Sequence, residues 1–395
     1  MGLMMIRLVV MAKVLSVEEY GFFSKGLLVA NTFSMLSCLG FQLLLQRDLP
    51  HYFFVGLNKR AAVMITQAVI IATGLFFFLF AGLWACTICY SIGAVVFVGL
   101  FNGLSQQILI ISTVESRSRG DMLRYAKDIL IRAIAVTFIG CWFGWVFDSA
   151  IIALFTDGVL TLIFCWTSIR FTYPNKKYLF ESVALGFKSL KKIKWTTCAV
   201  FFINNGLGFF IINTDRWVAS LTLTLDSFGL YSFVGILFLI GSSIQALISA
   251  SLFPYLLRIK SLSGSGFAFL KIFKIIITLI ILLLIINIPI FLFNELLLQK
   301  YFISYIEAVN LVPIFLLIAI IRSCDYWSIY LIAIGKEKII FYISLFTIII
   351  MVTFYYIMNE IIHVNKILVI SYINLFITIL LFLLGGVFSY RYKGD

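Results

Sequence analysis

The stretch "LSVEEYGFFS", Leu15 to Ser24, returns about two hundred residues later as "LTLDSFGLYS", Leu223 to Ser232. Glu18 falls on Asp226, Tyr20 on Phe228, Gly21 on Gly229 and Ser24 on Ser232. Each copy opens a long apolar run, so the repeated unit is a turn followed by a helix of the same kind. With a gap of a few residues Pro50 meets Pro254, expected just beyond the inner end of that helix. A chain that writes one pattern twice at this spacing is built from two copies of one unit.

The material between the copies names the solvent. The chain is 63% hydrophobic and 12% charged, with a mean hydropathy of +1.11, far from the composition of a soluble domain. Apolar runs of about twenty residues recur, each long enough to cross a ~30 Å hydrocarbon core as a helix. No period-two alternation of the barrel type is present, so helices are the expected form, about twelve of them. The expected spans cover residues 1–15, 22–45, 61–82, 88–112, 128–147, 150–169, 197–222, 229–253, 272–293, 309–333, 338–358 and 367–389. The first apolar segment lacks a basic start and a small-residue cleavage site, and is expected to remain as a span.

A net charge of +13 would suit nucleic acid if the cations were clustered on one soluble face. They lie instead in alternate loops. Arg47, Lys59 and Arg60 sit in one, Arg117, Arg119, Arg124 and Lys127 in the next but one, and Arg258, Lys260, Lys271 and Lys274 in a later one. The intervening loops carry few. By the positive-inside rule both termini and the basic loops are expected to be cytoplasmic, and no nucleic-acid partner is expected.

The longest connection, "FTYPNKKYLFESVALGFKSLKKIKW", is also the most basic. Phe180, Val183, Ala184, Phe187 and Leu190 recur at helical spacing while Lys188, Lys191, Lys192 and Lys194 gather elsewhere. That pattern predicts an amphipathic helix on the inner leaflet, with a plain tether between two halves as the alternative. It divides the chain into an N-terminal six-helix lobe (1–170), a basic linker (171–194) and a C-terminal six-helix lobe (195–395). The repeat also leaves Trp195 to Leu207 without a counterpart before Met1, so the first helix is expected to be short.

Cysteine chemistry is not indicated. The seven cysteines fall within or beside apolar runs, and Cys86 and Cys89 have C-x-x-C spacing without a second pair. The two histidines, His51 and His363, give no metal or haem set, and no cofactor is expected. "AIGKEK" lacks the flanking residues of a phosphate loop, so ATP hydrolysis is not expected either.

"AKVLSVEEYGFFSKGLLVANTFSMLSCLGFQLLLQRDLP", "NTDRWVASLTLTLDSFGLYSF" and "LIAIGKEKIIFYIS" resemble the signatures of the multidrug/oligosaccharidyl-lipid/polysaccharide (MOP) exporter superfamily. Within it they resemble the Wzx-type O-antigen repeat-unit flippases. The resemblance implies an all-α, MATE-like fold of two pseudo-symmetric lobes in a bacterial inner membrane. It implies transfer of an undecaprenyl-diphosphate-linked oligosaccharide from the cytoplasmic to the periplasmic leaflet by alternating access. It implies the lipid-linked oligosaccharide and membrane lipids as partners, with a polymerase and a chain-length regulator of the same pathway.

Such a cargo needs a hydrated, cationic route, because charge at membrane depth is costly. Arg7, Arg132 and Arg322 stand at membrane depth and Arg47 at the expected inner mouth, and arginine holds two phosphate oxygens at any working pH. Each has a quieter reading: Asp128–Arg132 and Arg322–Asp325 have ion-pair spacing, and arginines near span ends snorkel. Under the repeat Arg7 falls on Asp215, so the two are candidates for a pair that closes the outer side, with Arg216 beside Asp215 as the competing partner. Asp157, Asp215 and Asp325 are candidates for proton or sodium coupling. Asn102, Gln106, Gln107, Asn204 and Asn205 could bond sugar hydroxyls or tie helices together. Two other functions are alternatives. An O-antigen polymerase needs a large outer loop, whereas the outer loops here are short. A drug/cation antiporter of the same superfamily is disfavoured by a route rich in arginine.

Overall fold

The computed structural model describes residues 2–87, 93–173, 175–361 and 365–394. Cys89 and His363 lie outside them. Among the described residues the chain is all helical: α1 (Gly2–Val14), α2 (Val17–Leu36), α3 (Phe41–Phe54), α4 (Asn58–Cys86), α5 (Ala94–Ser118), α6 (Met122–Phe147), α7 (Ala150–Thr172), α8 (Lys176–Ser189), α9 (Trp195–Thr222), α10 (Leu225–Tyr301), α11 (Val312–Ser323), α12 (Trp327–Ala333), α13 (Glu337–Ile361) and α14 (Lys366–Arg391). Among the described residues nine stretches are long and apolar enough to cross a membrane, or ten with the bent pair α2 and α3. The protein is a multi-pass membrane protein. Each expected span overlaps a helix in its described residues, though 22–45 and 309–333 are each broken between two helices, residues 88–92 of the span 88–112 lie outside the described residues, and α1, at 13 residues, reaches only about 20 Å at ~1.5 Å per residue.

The repeated sequence is a helix start. Ser16 caps α2 by accepting from the Glu19 amide at 3.2 Å, and Thr224 caps α10 by accepting from the Ser227 amide at 3.4 Å. An oxygen-bearing residue at this position satisfies an amide the helix cannot pair itself. Tyr20 and Phe228, one turn further on, are both buried. The prolines behave differently from expectation. Pro50 lies inside α3 and Pro254 inside α10, because the helices continue past the points where the apolar runs end.

Two of the breaks come at glycines, whereas a second break inside α10 falls at Phe293 (φ −112°, ψ 16°). The turn between α2 and α3 uses Gly40 at φ +81°, and the two helices meet at 57°. At 77 residues α10 cannot run straight through a bilayer; Gly264, at φ +83° and ψ 171°, folds it into arms 225–263 and 265–301. Three contacts pin the fold-back, one from the chain after α14 and two from α12. Ser265 Oγ donates to the Lys393 carbonyl at 2.9 Å, Tyr330 OH donates to the Ser265 carbonyl at 3.2 Å, and Phe269 stacks against Trp327.

The chain divides into two compact units, Val14–Phe209 and Met1–Lys13 with Phe210–Asp395. The division passes through α9 and assigns α1 to the second unit, while the linker helix α8 packs on α4 within the first.

In the first unit α5 lies between α2 and α7 and buries most of its length. Close approach depends on small residues. A Cβ on Gly99 would stand 2.8 Å from the Gly26 carbonyl, and one on Gly103 2.7 Å from that of Ala30, a small-xxx-small seam on each helix. The second unit repeats the device between α10 and α11, where a Cβ on Gly241 would stand 2.6 Å from the Ala319 carbonyl.

Candidate functional site

In the first unit, polar side chains collect where α6 packs on α7. The buried face of α7 carries Asp157, Thr161, Cys165 and Ser168 at helical spacing. Arg132 of α6 is 9% exposed and donates from Nε to Thr161 Oγ1 at 3.2 Å. Asp128 is not its partner: the Asp128 carboxylate accepts from Ser168 Oγ at 3.1 Å. No carboxylate bridges Arg132 among the described residues. Asp157 is 1% exposed, and it fits because Gly140 leaves room; a Cβ there would stand 2.5 Å from Asp157 Oδ1.

The amides of α5 have a different task. Gln107 accepts from Ser34 Oγ at 2.9 Å and donates to Gln42 Oε1 at 2.9 Å, so it braces the break between α2 and α3. Gln106 donates to Asn102 on its own helix at 3.3 Å. Asn204 and Asn205 are exposed on α9.

In the second unit the centre is Asp215 of α9, 6% exposed. Tyr231 OH of α10 donates to Asp215 Oδ2 at 2.6 Å, and Asn374 Nδ2 of α14 donates to the same oxygen at 2.8 Å. Three helices converge on one carboxylate, and its side-chain hydrogen bonds come from Tyr231 and Asn374 rather than from the guanidinium of the neighbouring Arg216. The Arg216 guanidinium turns away, donating to the Gly235 carbonyl at 3.3 Å and standing 5.7 Å from the Phe238 ring. Arg322 approaches the same ring at 5.9 Å and pairs with Asp325 at 4.0 Å. Gln245 Nε2 holds the Asp325 carbonyl at 2.5 Å. Two arginines thus share one aromatic ring, a cation–π arrangement suited to guanidinium. Arg7 is buried in α1, at 3% exposure.

Arg47 differs from the other three candidate arginines. Its side chain is 51% exposed, pairs with Asp48 at 2.6 Å and stands 5.9 Å from Phe201.

Sequence reasoning passed over three residues that the structure brings forward. Tyr231 belongs to the repeated motif itself, which in sequence marks a turn. Asn374 is an amide within the apolar run of α14, which was the available signal. Glu115 of α5 is fully buried and bound by Arg119 and Arg124; its i, i+4 spacing to Arg119 was visible, but the return of Arg124 from α6 was not. Among the described residues no three His, Cys, Asp or Glu side chains gather as a metal site.

No family model matches the chain, and no curated protein does. The fold does have a solved counterpart, the inward-facing conformation of a multidrug resistance MATE family transporter of the MOP superfamily. It aligns over 98% of this chain and 95% of that one, with a TM-score of 0.64 at 10% identity. The fold is MATE-like. A second structure, described as the outward-facing conformation of a multidrug resistance MATE family transporter of the same superfamily, covers 100% of this chain and 88% of its own. Its TM-score of 0.41, at 11% identity, is too low to support an argument.

Proposed function

We propose that this protein is a transporter that moves an anionic, lipid-anchored solute across the membrane by alternating access, and that the cargo is a polyprenyl-diphosphate-linked oligosaccharide. The observation that carries the reading is Arg132, a buried guanidinium held by a hydroxyl and, among the described residues, bridged by no carboxylate. An arginine within a spanning helix costs up to roughly 2.5–3.5 kcal/mol on insertion scales, the full figure applying at the helix centre. A private ion pair would offset that cost; a hydroxyl partner leaves the positive charge for an anion that arrives from outside. The MATE-like fold supports transport as the class of activity, and the sequence resemblance supports the oligosaccharide.

The test is the leaflet distribution of lipid-linked sugar in cells lacking this chain, read by mass spectrometry with a membrane-impermeant probe. Complementation by the native chain and by Arg132→Leu follows. The reading expects repeat units trapped on the cytoplasmic leaflet, release by the native chain, and at least a tenfold weaker release by the variant. Unchanged surface glycan in the deletion strain overturns it.

A second reading, cation-coupled drug export, is favoured by the Asp215–Tyr231–Asn374 cluster, a carboxylate at membrane depth. That reading expects the deletion to lower resistance to cationic compounds while the glycan is unaffected.

A further inference from the structure

A cavity of about 840 Å³ opens in the first unit between α3, the start of α4 and the end of the linker helix α8. It lies apart from the intramembrane clusters. Lys59 and Arg60 of α4 and Lys192 and Lys194, just past α8, line it, with Asp48 as the acidic member. Two of these charges are already engaged: Asp48 by Arg47 at 2.6 Å and Lys59 by Glu181 at 2.9 Å. Arg60, Lys192 and Lys194 are exposed, and no carboxylate pairs with them among the described residues. Three cations therefore converge on a concave surface with a net demand for anionic charge.

The cavity wall is built rather than incidental. Gln67, 7% exposed, donates to Ser189 Oγ at 2.9 Å and fixes the end of α8 to α4. Thr66 and Tyr173 share a hydrogen bond of 2.5 Å, and a Cβ on Gly186 would stand 3.1 Å from Ile70 and 3.4 Å from Thr66. The small face of α8, Ser182 and Gly186, is the one that meets α4. The opposite side leaves Phe180 71% and Phe187 58% exposed. Aromatic rings left open on a helix beside a multi-cation pocket describe an element at the level of lipid headgroups.

The geometry points to a binding site for a phosphate-bearing lipid headgroup at the inner-leaflet surface, with Arg60, Lys192 and Lys194 as its ligands and Phe180 and Phe187 against the acyl region. This site does not depend on which solute the protein carries. Arg60 offers paired N–H groups to two phosphate oxygens, and the lysines supply mobile point charges around the remainder. Anionic headgroups attract basic segments of this kind within a Debye length of the membrane.

The experiment uses the purified full-length chain in phosphatidylcholine nanodiscs titrated with phosphatidylglycerol, with bound lipid counted by native mass spectrometry. The site expects one phosphatidylglycerol retained above the phosphatidylcholine background. The variant R60Q/K192Q/K194Q is expected to weaken retention at least tenfold, and R60K/K192R/K194R to restore it. The control K260Q/K271Q/K274Q, which removes the same charge in the second unit, is expected to change it less than twofold. Displacement by millimolar inorganic phosphate would identify the phosphate group alone as sufficient; resistance to it would identify the whole headgroup. Equal losses in the cavity variant and the control, or no preference for phosphatidylglycerol in the native chain, overturns the proposal. A melting curve of each variant separates lost binding from lost folding.

Discussion

At Gly40 a single hydrogen atom decides whether two helices can meet. Its φ of +81° is one that L side chains rarely adopt, and a Cβ there would overlap the carbonyl of Cys198 and stand 2.8 Å from the Phe202 amide. Backbone cannot give way as a side chain can, so Gly40→Ala combines strain with a clash. The expected cost is about 2–3 kcal/mol or more, read as lower thermal stability in detergent, whereas Gly56→Ala, with nothing within 4 Å, incurs only the strain. Asp215 makes a second residue-scale case. Tyr231 and Asn374 share one carboxylate oxygen, so Tyr231→Phe and Asn374→Ala are expected to be non-additive by about 0.5–3 kcal/mol in a double-mutant cycle. Additive effects would mean that the three residues do not act as one network.

At the scale of the element, the linker helix shows how face and charge separate. Its sequence predicts an apolar stripe, and the stripe exists, but the face that packs on α4 is the small one. The reason is geometric: Ser182 and Gly186 let two backbones approach, and the larger Phe180 and Phe187 would hold them apart. The Lys59–Glu181 bridge closes this contact at its edge, and the hydrogen bond from Lys59 holds the Glu181 carboxyl below its ordinary pKa. A depressed carboxyl pKa stabilises the bridge above the unfolded pKa and loses that contribution as pH falls through the folded one. Amide protection of α8 is therefore expected to be steady near neutrality and to fall only in acid, below the ordinary carboxylate range. Glu181→Gln is expected to show the low-protection state already at neutral pH. Hydrogen exchange on α8 relative to α5 checks both.

For the molecule as a whole, the charge pattern predicts sidedness. Cysteines placed at Lys188 and Lys271 are expected to resist an impermeant maleimide added outside intact cells, while those at Thr224 and Lys300 react. Of the natural cysteines in the described residues, Cys86 is exposed, and Cys38, Cys141, Cys165, Cys198 and Cys324 are buried, so replacing Cys86 and Cys89 removes most background. Reversed labelling would invert the orientation and place the basic cavity on the outer face.

Sequence and structure divide along the range of the forces involved. Hydropathy, the basic loops and the paired helix starts at Leu15 and Leu223 determined an all-helical membrane protein, because burial in lipid and helix capping act through neighbours a few residues apart. The candidate arginines and aspartates were also legible, as charges where charge is expensive. Their partners were not. Nothing near Arg132 in sequence names Thr161, and the obvious neighbour, Asp128, bonds Ser168 instead. Nothing near Asp215 names Asn374, which lies on another helix. Likewise the basic cavity forms only when Arg60 of α4 meets the lysines beyond α8. Tertiary structure alone decided these pairings, because at membrane depth a polar group takes whichever donor or acceptor the helix packing brings within about 3 Å.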